Sequence, residues 1–140
     1  MSQRIIVCDD EPHIVRAISL KFARAGFDVQ GASDAESCLE LMRRHHPALL
    51  ITDYTMPGMN GAQLVRRIRS EEGLSEIPVI MLTARGFELA EETGELEHLN
   101  LAAMVSKPFS PRELVVMVSE ILGYETEPST AAFRDSYSSI

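Results

Sequence analysis

The chain has 140 residues, 45% apolar and 24% charged, the size and composition of one globular domain able to bury roughly two thirds of its unfolded surface. A formal net charge of −8 works against recognition of nucleic acid through a basic face. No apolar run approaches the ~18 residues of a membrane-spanning helix, and the N-terminus lacks the basic-then-apolar plan of a secretion signal, so a cytoplasmic location is expected.

Residues 5–8 form a short apolar run that ends in Asp9-Asp10-Glu11 and are expected to be the first strand. Pro12 suits the first position of a helix, and Gly26 marks its end. Phe27-Asp28-Val29-Gln30 alternates in polarity, which places a second strand at a sheet edge. Ser33-Asp34-Ala35-Glu36 reads as a capping box opening a second helix that Pro47 closes. His45-His46 stands at the end of that helix, where cations meet the helix dipole favourably. A third strand over 48–52 runs into Asp53. The helix after it carries Arg66-Arg67-Ile68-Arg69, whose arginines point several ways and read as a solvated face.

A fourth strand over 79–82 runs into Thr83. The stretch 86–100 is the weakest: Gly94 interrupts a Glu-rich run in which Phe87, Leu89, Leu96 and Leu99 follow no helical period. A marginal fourth helix is expected there, in the most mobile part of the domain. A fifth strand over 102–106 runs into Lys107. Ser110-Pro111-Arg112-Glu113 repeats the capping device for a fifth helix, with Gly123 as its end signal. Residues 124–140 are polar and read as a tail or linker, with 1–123 as the folded unit and no output domain.

Apolar runs alternating with amphipathic stretches predict an α/β fold of the flavodoxin-like, doubly wound (βα)5 kind, with a five-stranded parallel sheet of order 2-1-3-4-5. In such a sheet, groups just beyond the carboxyl ends of the strands converge in one crevice. Asp9, Asp10, Asp53, Thr83 and Lys107 therefore form one candidate site, three carboxylates with a hydroxyl and an ammonium, suited to a divalent cation and a phosphoryl group. Taken singly, Asp9 or Asp10 reads as a helix cap, Lys107 as a surface lysine and Thr83 as a strand-end hydroxyl. The coincidence of four strand ends favours the site. Cys8 and Cys38 read as packed, reduced thiols, a disulfide being disfavoured by the mid-sheet position of Cys8, and Met42, Met81, Met104 and Met117 as core. His13 and His98 have no ligand-spaced partner.

Asp53-Tyr54-Thr55-Met56-Pro57-Gly58-Met59-Asn60-Gly61 resembles the phosphoacceptor loop of response-regulator receiver domains, the CheY-like family. Asp9-Asp10-Glu11, Thr83-Ala84 and Lys107-Pro108-Phe109 fill the remaining signature positions, and the resemblance covers roughly residues 3–123. It implies that Asp53 accepts a phosphoryl group from a sensor histidine kinase or phosphotransfer protein. It also implies that Asp10, Asp53 and the backbone carbonyl of Thr55 hold Mg²⁺ (or Mn²⁺), with Asp9 acting through water. Lys107 and Thr83 would then contact phosphoryl oxygens, and the Lys107-Pro108 bond would be cis. The implied protein is a signalling switch that catalyses only its own phosphorylation and dephosphorylation. It would meet a downstream protein through the face made by the fourth helix, strand five and the fifth helix, without binding nucleic acid or membrane.

The chain departs from the family at Met104, where many receivers carry Tyr or Phe, and at Asn100, where a glycine is usual. The spacing from Thr83 to Lys107 also implies a small insertion within 86–100. Two other functions compete. An aspartate-based phosphohydrolase of the haloacid dehalogenase type would need a second acidic residue two positions after Asp53, where this chain has Thr55. A non-phosphorylated interaction module would keep the fold with a vestigial site.

Overall fold

Three of the strands, over 4–8, 49–53 and 79–83, are short runs rich in β-branched or long aliphatic residues, and a run apolar at successive positions needs cover on both faces. The computed structural model describes residues 3–84 and 94–123 and supplies that cover. In chain order the elements are β1 (Arg4–Cys8), α1 (Pro12–Arg24), β2 (Asp28–Ala32), α2 (Ala35–His45), β3 (Leu49–Asp53), α3 (Gly61–Arg69), β4 (Val79–Thr83), β5 (Ala103–Ser106) and the helix Pro111–Leu122, here α4. The strands are all parallel, in the order β2-β1-β3-β4-β5. The helix expected as the fifth is therefore α4 here; of the stretch 86–100 where a fourth helix is expected, 86–93 lies outside the described residues and 94–98 forms turns, not helix.

Alternation along the strands sorts the core into two layers. Ile6, Cys8, Leu50 and Met81 face α2 and α3, packing with Cys38, Leu39, Met42, Leu64 and Ile68. Ile5, Val7, Leu49, Ile51, Ile80 and Leu82 face the other way, against Ile18, Phe22, Leu114 and Val118 of α1 and α4. The alternating run around β2 lies at one edge, as expected, and β5 closes the other with partly exposed side chains.

Helix ends show where local rules compete. Asp34, not Ser33, caps α2: its Oδ1 accepts from the Ser37 N–H at 2.8 Å and its Oδ2 from the Ser37 hydroxyl at 3.1 Å. A capping box does occur, but at α3, where Asn60 and Gln63 exchange bonds of 2.8 Å with each other's backbone N–H. At α4, Ser110 accepts from the Glu113 N–H at 3.2 Å and Gly123 takes the left-handed conformation at φ 72°. Asn100 likewise sits at φ 54° in place of a glycine. His45, at the end of α2, has its Nδ1 2.6 Å from the guanidinium of Arg4 in β1.

Cys8 and Cys38 are free and fully buried, and the fold makes them neighbours. The Cys8 thiol lies 3.4 Å from both the Asp34 carbonyl and the Met56 sulfur. A hydrogen bond with Cys8 and then burial push the Cys38 thiol well above its usual range, which suits a protonated packing group.

Candidate functional site at the carboxyl edge of the sheet

β1 and β3 are adjacent, and their chains leave the sheet toward α1 on one face and α3 on the other. The crevice between them opens there, and it receives Asp9, Asp10 and Asp53. One carboxylate oxygen from each of these three residues lies within 4.8 Å of the other two. Burial divides them: Asp9 is 0% exposed, Asp53 is 5% exposed, and Asp10 is open to solvent.

Each oxygen of Asp9 is already engaged. Oδ1 accepts from the Glu11 N–H at 2.9 Å, and Oδ2 accepts from the Lys107 ammonium at 3.0 Å. The same ammonium lies 3.3 Å from Asp53 Oδ2 and 3.8 Å from Glu11 Oε2. Lys107 thus bridges the ends of β1 and β3 from the end of β5, where its own N–H donates to the Thr83 carbonyl at 2.9 Å. The Lys107-Pro108 bond is cis.

Burial, and then the Asp9 charge, raise the Asp53 carboxyl from 3.8 to about 6, against the lowering pull of Lys107 and the Thr55 N–H. For Lys107, burial alone favours the neutral amine, but the Asp9 hydrogen bond and the two carboxylate charges hold it above its ordinary value. A nearly buried carboxylate that one cation only partly neutralises, beside an exposed second carboxylate, is a setting that a hard divalent ion with retained waters fits. Thr83, 2% exposed, ends β4 on the same edge. Thr55 is exposed, with its N–H 3.4 Å from Asp53 Oδ1.

Backbone bonds hold the phosphoacceptor-like loop on both sides. The Tyr54 N–H donates to the Leu82 carbonyl at 2.8 Å, and the Tyr54 carbonyl accepts from the Gly61 N–H at 2.7 Å. Gly61 has to be glycine, since a Cβ there would meet the Asp53 carbonyl oxygen at 2.3 Å and the Tyr54 Cα at 2.9 Å. Gly61→Ala should therefore cost about 2 kcal/mol in urea unfolding by forcing the loop away from α3. A variant as stable as the wild type would show that the loop yields freely.

Two features escaped the sequence. The Tyr54 hydroxyl donates to a Glu95 carboxylate oxygen, and that bond, together with burial, pushes the phenol up to about 12. Arg69, read as solvated, instead reaches four backbone carbonyls: Leu99 at 2.9 Å, Ser75 at 3.0 Å, Ile77 at 2.7 Å and Asn100 at 3.2 Å. An arginine on a helix gives no sequence signal of such partners, which lie on other segments.

A parallel sheet of this order, with an acidic cluster and a lysine at its switch point, defines a flavodoxin-like α/β protein. The family model of the response regulator receiver domain matches residues 5–119, and the chain belongs to that family. It is 33% identical over 124 residues to the phosphate regulon transcriptional regulatory protein PhoB of Escherichia coli, an alignment covering 87% of this chain and 52% of that protein. The transcriptional regulatory protein SrrA of Staphylococcus aureus is 35% identical over 124 residues, covering 87% of this chain and 48% of SrrA. The chain spans about half the length of these curated relatives. Among solved structures, the response regulator receiver protein of Pseudomonas putida superposes with a TM-score of 0.78 at 26% identity, over 86% of this chain and 98% of that one. The chemotaxis response regulator CheY4 of Vibrio cholerae, at 24% identity, shares the fold with a TM-score of 0.76 over 87% of this chain and 99% of that one. Among the described residues no helix is long and apolar enough to cross a membrane.

Proposed function

We propose that this receiver domain is a phosphorylation-controlled switch of a two-component or phosphorelay system, with Asp53 accepting a phosphoryl group from a sensor histidine kinase or phosphotransfer protein. One observation carries the reading: the Lys107 ammonium bridges Asp9 and Asp53 at 3.0 and 3.3 Å beside the exposed Asp10. That constellation offers a carboxylate nucleophile, a cation to take a phosphoryl oxygen and an open carboxylate for a metal ion.

In this reading Asp10, Asp53 and the Thr55 carbonyl hold Mg²⁺ or Mn²⁺, and Asp9, already bonded to Glu11 and Lys107, acts through water. The ion supplies charge neutralisation between an anionic donor and an anionic acceptor. Lys107 moves its pairing from the Asp53 carboxylate to a phosphoryl oxygen, and the Thr83 hydroxyl donates to another. The chain modifies itself and turns over no free metabolite. Residues 1–123 are the receiver unit and 124–140 a tail or linker; signalling passes to a partner protein in the cytoplasm, without direct contact to nucleic acid or membrane.

The test is intact-mass spectrometry after incubation with acetyl phosphate and Mg²⁺. One phosphate should add to the wild type and none to Asp53→Asn. An increment that persists in Asp53→Asn refutes the assignment. Steady hydrolysis of a phosphomonoester would instead favour the phosphohydrolase, for which Thr55 supplies no second acid, and failure to phosphorylate with Mg²⁺ bound would favour an interaction module.

A further inference from the structure

Residues 94–100 are fastened to the rest of the domain at several points, and one of them is the loop that carries Asp53. Arg66 donates to the Glu95 carbonyl at 2.8 Å, and Arg69 holds the carbonyls of Leu99 and Asn100. Leu99, 2% exposed, sits in the core layer under α2 and α3. The Glu95 side chain takes the Tyr54 hydroxyl. Tyr54 directly follows Asp53, its ring is buried, and its backbone is bonded to β4 and to the start of α3. The phenol is therefore the one group of the loop between 53 and 60 that reaches a side chain of the 94–100 segment among the described bonds.

We propose that Tyr54 is a positioning residue for the reaction at Asp53, anchored by Glu95, and that this bond couples the 94–100 segment to the phosphoacceptor site. The inference rests on the phosphoacceptor reading above. The anchored arrangement is the one in which Lys107 pairs with both Asp9 and Asp53. A phosphoryl group on Asp53 has to redraw that pairing in a site with little free room, since Asp53 is nearly buried and α3 abuts the loop backbone at Gly61. In this proposal the loop shifts to make that room, against the backbone bonds that hold Tyr54 to β4 and α3. Its outward movement pulls the phenol off Glu95, so the bond resists modification and its loss transmits it. Coupling of this kind is reciprocal: whatever draws Glu95 away from Tyr54 raises the affinity of the site for a phosphoryl group by the same factor that phosphorylation favours the release. A partner that binds the released segment thus also prolongs the modified state.

The experiment measures the affinity for beryllofluoride with Mg²⁺, as a phosphoryl mimic, in the full chain and in Tyr54→Phe, Glu95→Ala, the double variant and Glu95→Gln. Tyr54→Phe and Glu95→Ala should each tighten binding about fivefold or more, and the double variant should gain no more than either alone. Glu95→Gln keeps an acceptor for the phenol and should stay near the wild type, a rescue that a general packing role for Glu95 would not show. Amide exchange of 94–100 should respond to beryllofluoride in the wild type and little in Tyr54→Phe. Affinities within twofold of the wild type, or multiplicative effects in the double variant, overturn the proposal. Acetyl phosphate labelling of the same proteins separates the two readings. If all are labelled at Asp53 yet show no coupling, only the positioning role fails; if the wild type is not labelled, the phosphoacceptor reading fails and the inference with it.

Discussion

In metal-free protein the Asp53 carboxyl should withdraw about 2.5 kcal/mol of stability between pH 4 and pH 7, and Asp53→Asn should remove that contribution. The folded protein holds the Asp53 carboxyl at about 6, against 3.8 for an ordinary aspartate. Between these values the folded state keeps a proton that the unfolded chain has released, so raising the pH drains stability across that window and no further above it. About two pKa units correspond to about 3 kcal/mol, or roughly 6–12 °C in melting temperature for a domain of this size. Lys107 titrates far above the window, its pKa being raised, and does not blur the difference. The comparison to make is wild type against Asp53→Asn in EDTA, melted at pH 4, 5, 6 and 7.5. The curves should converge at pH 4 and diverge in favour of the variant at pH 7.5. Parallel curves would mean that burial and Asp9 do not hold the carboxyl up.

Adding Mg²⁺ at pH 7.5 should then restore much of the loss. A ligand bound only by the folded state contributes RT ln(1 + [L]/Kd), about 2.7 kcal/mol at a hundredfold excess over Kd. Asp53→Asn lacks one of the three carboxylates that lie within 4.8 Å and should respond less. Identical melting of the wild type in millimolar Mg²⁺ and in EDTA would argue that the cluster is no cation site.

These expectations start from residues that the sequence already placed, and the reason is topological. In a parallel sheet each apolar run has one carboxyl end, so Asp9, Asp53, Thr83 and Lys107 fall on one edge once the strands are recognised. The edge position of β2 was equally legible, from the alternation of Phe27 to Gln30. What stayed hidden depends on meetings between distant segments or on close local contests. Ser33 and Asp34 are both good caps, and only the observed geometry shows Asp34 reaching Ser37 twice. Tyr54 meeting Glu95, and Cys8 meeting Cys38, need the fold. Of the stretch 86–100 where mobility is expected, 86–93 lies outside the described residues, whereas 94–100 is tied down by Tyr54, Arg66 and Arg69.

Arg69→Ala should accordingly destabilise the domain by about 3 kcal/mol, far more than a solvated helix face would allow. The guanidinium fork satisfies carbonyls of Ser75 and Ile77 before β4 and of Leu99 and Asn100 before β5. Burial lowers its pKa from 12.5, which leaves it charged at neutral pH, and bonds from a charged donor contribute about 1.5–3 kcal/mol each when the acceptor has no substitute. Water can replace the fork at the more exposed carbonyls, so the sum is well below four full bonds. Lysine presents a single point of charge and cannot span the four acceptors, so Arg69→Lys should recover less than half of the loss. The effect should extend to function. The Ala102 N–H donates to the Val79 carbonyl at 2.8 Å just as the chain enters β5, and β5 delivers Lys107 to Asp9 and Asp53. Loosening the entry to β5 therefore blurs the position of the ammonium, and Arg69→Ala should phosphorylate more slowly with acetyl phosphate at a temperature where it is still folded. Urea unfolding monitored alongside the labelling rate checks both halves, and a cost below 1 kcal/mol would return Arg69 to the solvent-facing role that the sequence alone suggested.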